Sequence, residues 1–194
     1  DVLIMRHLFR HGACARPDTV KLALETAFRH ANKPVAHLLL AEARTRVRAH
    51  VQAQEEEEEE RKPIAELACR YVDTLDGPLL FALLEYGVPL LPPLLVAIVR
   101  RYPDMLEDVL RLTSRGKNEG SQTNLMQYSP EKYVFQLWDA LDLRSARTLV
   151  DHGYGETLVN DSFLDVCRIN LNVYEHDEQC WSLLVYLLDL LRET

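Results

Sequence analysis

An apolar helix end closed by a glycine occurs three times in this chain, and it restricts the possible folds more than any other feature. The copies are Leu8-Phe9-Arg10-His11-Gly12-Ala13, Leu83-Leu84-Glu85-Tyr86-Gly87-Val88 and Leu149-Val150-Asp151-His152-Gly153-Tyr154. Each reads leucine, apolar, charged, histidine or tyrosine, glycine, then a non-polar residue. Glycine suits this place because the left-handed backbone that stops a helix carries no Cβ penalty there. Gly87 and Gly153 are 66 residues apart, twice 33, while Gly12 and Gly87 are 75 apart, with the run Glu55 to Glu60 lying between them. A helix stop recurring at a fixed period predicts a repeat array, with the acidic run as an insertion into one repeat.

The rest of the apolar pattern agrees with helices throughout. Periodic apolar positions predict helices over residues 2–11, 20–30, 35–51, 64–72, 79–86, 94–102, 105–112, 131–141, 143–152, 163–169 and 179–191. No segment alternates in the strand sense for more than a few residues. Arg16-Pro17-Asp18-Thr19 reads as a turn, and Pro63 as the point where order restarts after the glutamates. Residues 52–62 are expected to be a solvated extension of the helix before them or a mobile insert, since six adjacent carboxylates cannot form a core. Residues 113–130 are rich in Gly, Ser and Asn, and so long a connection reads as a functional or mobile loop. Leu94 to Val99 is apolar on all sides and should lie deep. The last helix, ending Leu187-Leu188-Asp189-Leu190-Leu191, needs a further covering element or a partner. A change such as Leu84→Ala should cost about 2–5 kcal/mol.

The chain therefore reads as a single all-α array over residues 1–194, a solenoid of about five stacked helical hairpins. A lone hairpin cannot bury its own apolar face, and stacked neighbours supply the cover. The first residues already read as the second half of a repeat and lack an initiator methionine, so the chain is expected to be part of a longer protein. They also lack the basic lead and cleavage site of a signal peptide. No apolar run reaches the length of a membrane span. Cys14, Cys69, Cys167 and Cys180 form no C-x-x-C pair, which favours a reduced, intracellular protein.

The net charge of −8 is unevenly spread. Residues 1–48 carry nine Lys or Arg against four Asp or Glu, and residues 119–194 carry five against thirteen. Such polarity steers charged partners without identifying them.

The window Leu22-Ala23-Leu24-Glu25-Thr26-Ala27-Phe28-Arg29-His30-Ala31-Asn32-Lys33-Pro34-Val35-Ala36-His37-Leu38-Leu39-Leu40 resembles the ankyrin repeat family. That family has a small first-helix residue, an apolar residue eight places on and a leucine pair twelve places on. Ala27, Val35 and Leu39 keep these offsets, as do Ala97, Met105 and Val109, and Leu137 with Leu149 keeps the last of them. The T-P-L-H turn is not intact anywhere, and the helix-ending glycine is Ala43 in one unit and Thr113 in another. The resemblance implies a stack whose inner helices and turn tips form a concave protein-binding surface. The residues it places on the first helices of successive units are Arg29, Arg70, Arg101, Trp138 and Arg168, and these are the expected partner contacts.

Motifs for chemistry are sparse. His7, His11 and Cys14, or Cys167, His176 and Cys180, have loose metal-ligand character, but His11 already has a repeat counterpart in Tyr86 and His152. There is no G-x-S-x-G, H-E-x-x-H or phosphate-binding loop; Gly116-Lys117-Asn118-Glu119-Gly120 lacks the spacing. Asp161 and Asp165 share a helix face, with Asp161 better placed as a cap. Arg44, Arg46, Arg48 and Arg100-Arg101-Tyr102 are the strongest basic groups, without the aromatic interleaving of a nucleic-acid surface. Trp138 reads either as core or, beside Tyr133 and Tyr128, as a binding anchor. The expectation is a non-catalytic protein-interaction module without cofactor or metal. The alternative is an all-α structural subunit of a stable complex.

Overall fold

The computed structural model describes residues 3, 4, 7, 11, 17–49, 54–114, 133, 136–158 and 178–193, and among these every regular element is helical. The α-helices are α1 (Pro17–Arg29), α2 (Lys33–Ala49), α3 (Gln54–Arg70), α4 (Gly77–Tyr86), α5 (Pro92–Arg101), α6 (Leu106–Ser114), α7 (Leu143–Asp151), the one-turn α8 (Gly155–Leu158) and α9 (Glu178–Glu193). Short 3-10 turns at Val72–Thr74 and Pro103–Met105 precede α4 and α6. The chain divides into two compact units, Asp1–Leu94 and Leu95–Thr194.

The glycine stops are realised at the backbone. Gly87 has φ 99° and closes α4: its N–H donates to Leu84 O at 3.0 Å, and the Val88 N–H donates to Leu83 O at 3.1 Å. Gly153 has φ 85° and repeats the pattern after α7, with Gly153 N–H to Val150 O at 2.9 Å and Tyr154 N–H to Leu149 O at 3.0 Å. This paired bonding satisfies carbonyls that a helix end otherwise leaves open. A further copy closes α1 without glycine. Ala31 has φ 49°, and the Ala31 and Asn32 amides bond Phe28 O at 3.0 Å and Ala27 O at 2.7 Å. Gly12 lies outside the described residues.

Helix starts recur as well. Asn32, Asp76 and Asp142 cap α2, α4 and α7 by accepting from the N–H three residues on: Val35 at 3.4 Å, Leu79 at 3.0 Å and Ser145 at 2.6 Å. Asp76 and Asp142 are also 66 residues apart, the spacing of Gly87 and Gly153. The helices α4 and α7 are thus bounded by the same cap and the same stop at the same separation.

Within the first unit, α1 and α2 form a hairpin joined by the break at Ala31 and Asn32. The helices α3 and α4 follow, α2 lying against α4 and α1 against α3. Lys33 at the start of α2 is 3.0 Å from the Asp76 carboxylate at the start of α4, and Arg44 is 2.6 Å from Glu85 further along both helices. Both contacts advance in the same direction, so α2 and α4 run parallel. Arg70 at the end of α3 comes within 3.9 Å of Glu25 near the end of α1, so those two helix ends meet. Leu24, Ala36, Leu39, Ala68, Leu79 and Leu83 fill the space between these helices and are fully buried.

In the second unit α7 packs against α6 and α9. Arg144 in the first turn of α7 reaches Asp104, just before α6, at 2.9 Å. The Arg147 guanidinium lies 5.6 Å from the Tyr186 ring centroid, and a Cβ on Gly155, beyond the end of α7, would meet Leu190 at 3.7 Å. The core contains Leu106, Val109, Leu110, Ala146, Leu149 and Leu158. The helix α5, in which the two units meet in sequence, is buried from Leu94 to Val99, as its uniform apolarity requires.

Several expectations are revised. The glutamates Glu55 to Glu60 belong to the first half of α3 and not to the helix before them, and Pro63 lies inside α3. Glutamate is a good helix former, and carboxylates at a helix N-terminus meet the positive end of the macrodipole. The proline forfeits the bond to the Glu59 carbonyl and crowds that carbonyl with its ring, a cost the rest of the helix carries. Pro17 opens α1 in place of a separate turn, using the one helical position where its missing N–H costs nothing. The one-turn α8 has no counterpart in the apolar pattern. Of the expected helix at 131–141, residue 133 and residues 136–138 are helical among the described residues. The expected helix at 163–169 and all of the 113–130 loop beyond Ser114 lie outside them.

Candidate interaction surface

The ends of α1 and α3 form a charged cluster. The Glu25 carboxylate accepts from Arg29 at 3.0 Å, one helical turn on, and lies 3.9 Å from Arg70 on the neighbouring helix. Both guanidinium groups remain largely exposed, 61% for Arg29 and 66% for Arg70. One carboxylate shared by two such groups leaves most of their N–H donors facing water. Beneath them Phe28 and Tyr71 pack with ring centroids 6.4 Å apart, fixing one helix end against the other. A side-chain hydrogen bond with Tyr71, then the charges of Tyr71 and Glu25, hold Arg29 more firmly in its charged form than a free arginine. Two of the five expected contacts, Arg29 and Arg70, are therefore brought together on one edge.

The others part company with them. Arg101 is half-buried, with its guanidinium carbon 5.5 Å from the Tyr102 ring centroid. Trp138 is only 6% exposed, and its indole N–H donates to the Leu158 carbonyl at 3.1 Å. That places it in the core, tying the end of helical residues 136–138 to α8, and removes it from the surface a partner could reach. Arg168 lies outside the described residues.

The remaining sequence candidates offer less. The His7 and His11 rings lie 4.5 Å apart, and Cys14 is outside the described residues. Among the described residues no group of three His, Cys, Asp or Glu could hold a metal ion. Cys69 is half-buried and its thiol is pushed up to about 11, by burial first and by the Glu66 charge second, so it is a poor nucleophile. Arg44 is engaged by Glu85, while the side chains of Arg46 and Arg48 lie outside the described set, as do Asp161, Asp165, Cys167, His176, Tyr128 and residues 116–120. Tyr133 is half-buried.

The apolar pattern pointed to the last helix as a surface without naming the residues. On α9, Leu183, Leu184 and Leu187 face inward, and Trp181 (50% exposed) and Val185 (41%) form a stripe on the opposite side. Leu22 on α1 is 65% exposed and lies seven residues before Arg29, two helical turns along the same face. Helical phasing of the large apolar residues against the buried set would have found all three. Among the described residues, no helix is long and apolar enough to cross a membrane.

Comparison with protein-family models, with curated proteins and with solved structures finds no match to this chain.

Proposed function

We propose that this protein is a non-catalytic interaction module, a solenoid of ankyrin-like helical hairpins that holds another protein along the edge formed by its first helices. The observation that carries the reading is the pairing of Arg29 and Arg70. Two exposed guanidinium groups from successive first helices are anchored by one carboxylate and backed by packed aromatic rings. Arginine in a fixed setting presents planar donors to carboxylate groups and loses little freedom on binding. The parallel packing of α2 on α4 in the first unit supports the stacked reading, since up-and-down bundles make neighbours antiparallel.

Affinity capture with quantitative mass spectrometry tests this, using the wild-type chain beside an Arg29→Glu, Arg70→Glu double variant. The proposal expects a specific partner whose recovery falls about tenfold or more in the variant. Arg111→Glu, on an exposed ion pair of α6, should leave recovery unchanged. Undiminished recovery by the double variant would remove this edge as the docking surface.

A further inference from the structure

The α1 edge and the exposed face of α9 are complementary to each other. On α1 the solvent side carries Leu22 with Lys21, Glu25 and Arg29, and Arg70 of α3 adds a second guanidinium. On α9 the solvent side carries Trp181 and Val185 with Glu178 and Asp189, and Arg192 is occupied with Asp189 at 3.6 Å. One face is apolar with a net basic rim, and the other is apolar and aromatic with a net acidic rim. The sequence repeats this contrast on a larger scale: residues 1–48 are basic and residues 119–194 strongly acidic. Exposed tryptophan and matching rim charges are the elements from which binding hot spots and their steering fields are built.

We infer that the α9 face of one copy docks on the α1 edge of a second copy, so that the chain self-associates head to tail. This rests on the reading of the α1 edge as a docking surface and names its occupant. The two patches differ, so the interface is heterologous: each copy keeps one free face of each kind, and association continues until concentration or closure stops it. The rim charges make it sensitive to salt.

Sedimentation equilibrium of the whole chain tests the inference in three arms. The wild-type average mass should rise with concentration in low salt, and high salt should bring it back toward the monomer. A chain with Trp181→Ser and Val185→Ser, and a chain with Leu22→Ser and Arg29→Glu, should each be monomeric alone. Mixed in equal amounts they should form a one-to-one dimer that grows no further, because each supplies the face the other lacks. The altered residues are exposed, and unchanged far-ultraviolet dichroism checks that both variants fold. A wild-type chain that stays monomeric at every concentration in low salt overturns the inference, and so does a mixture that stays monomeric. Association retained by either variant alone overturns it too. If self-association fails while capture of another protein still depends on Arg29 and Arg70, the α1 edge stands as a docking surface with a different occupant. If both fail, both readings fall.

Discussion

Ala31 adopts the backbone conformation that Gly87 and Gly153 adopt at the other helix ends, but with a Cβ attached. For an alanine that conformation costs roughly 1–2 kcal/mol, partly offset in glycine by the greater entropy of its unfolded chain. Ala31→Gly should therefore stabilise the protein by about 0.5–1 kcal/mol, and Gly87→Ala should destabilise it by about 1–2 kcal/mol. Urea unfolding midpoints measure both. Asp76 offers a second test at this scale. Burial alone would raise its carboxyl, but the hydrogen bond from Lys33, the Leu79 amide, and the charges of Lys33 and His37 outweigh burial and hold it below the usual carboxylate range. A depressed carboxyl contributes stability that is present above its unfolded value and disappears as pH falls through the lower, folded one. Asp76→Asn keeps the cap, because asparagine also accepts from the helix amides, yet loses the charge pair. It should cost stability at neutral pH and flatten the acid limb of the stability profile, and urea titrations across that limb would record it. Asp76→Ala should cost about 1 kcal/mol more than Asn through the lost cap.

At the scale of elements, what the sequence disclosed depended on whether the signal was local. Gly87 and Gly153 announce their helix ends because only a residue without a side chain is comfortable there, whereas Ala31 makes the same turn and announces nothing. The Asx caps at Asn32, Asp76 and Asp142 were equally legible in principle, Asp76 and Asp142 being spaced as Gly87 and Gly153 are. Pro63 misled, since a proline that usually opens a helix here lies inside one, and the helical preference of the preceding glutamates extends α3 backward past it. The charged edge was not legible as such: Arg29 and Arg70 meet because α1 and α3 end together, a tertiary fact. Positional logic failed for Trp138, because phasing does not say which side of a short helix a neighbouring turn will cover. The indole bond to Leu158 makes that placement testable. Trp138→Phe leaves a buried carbonyl of α8 without its donor and should cost about 1–3 kcal/mol by urea unfolding, more than the lost apolar area alone would suggest.

At the scale of the whole molecule, the relative direction of the helices decides which side chains share an edge. In the first unit α2 and α4 run parallel, and α1 and α3 end side by side. The meeting of the ends of α1 and α3 is what lets Arg29 and Arg70 form one edge. Alternating helices would separate them by a helix length. The most direct test uses pairs of cysteines in a background where the four native cysteines are serine, joined by a short bifunctional thiol reagent at low protein concentration. Arg44→Cys with Glu85→Cys, and Arg29→Cys with Arg70→Cys, should cross-link within the monomer. Arg29→Cys with Glu85→Cys should not, because those positions lie toward opposite ends of α2. Efficient linkage of the last pair, or none in the first two, would contradict the parallel packing of α2 on α4 and the meeting of the α1 and α3 ends, on which the proposed surface depends.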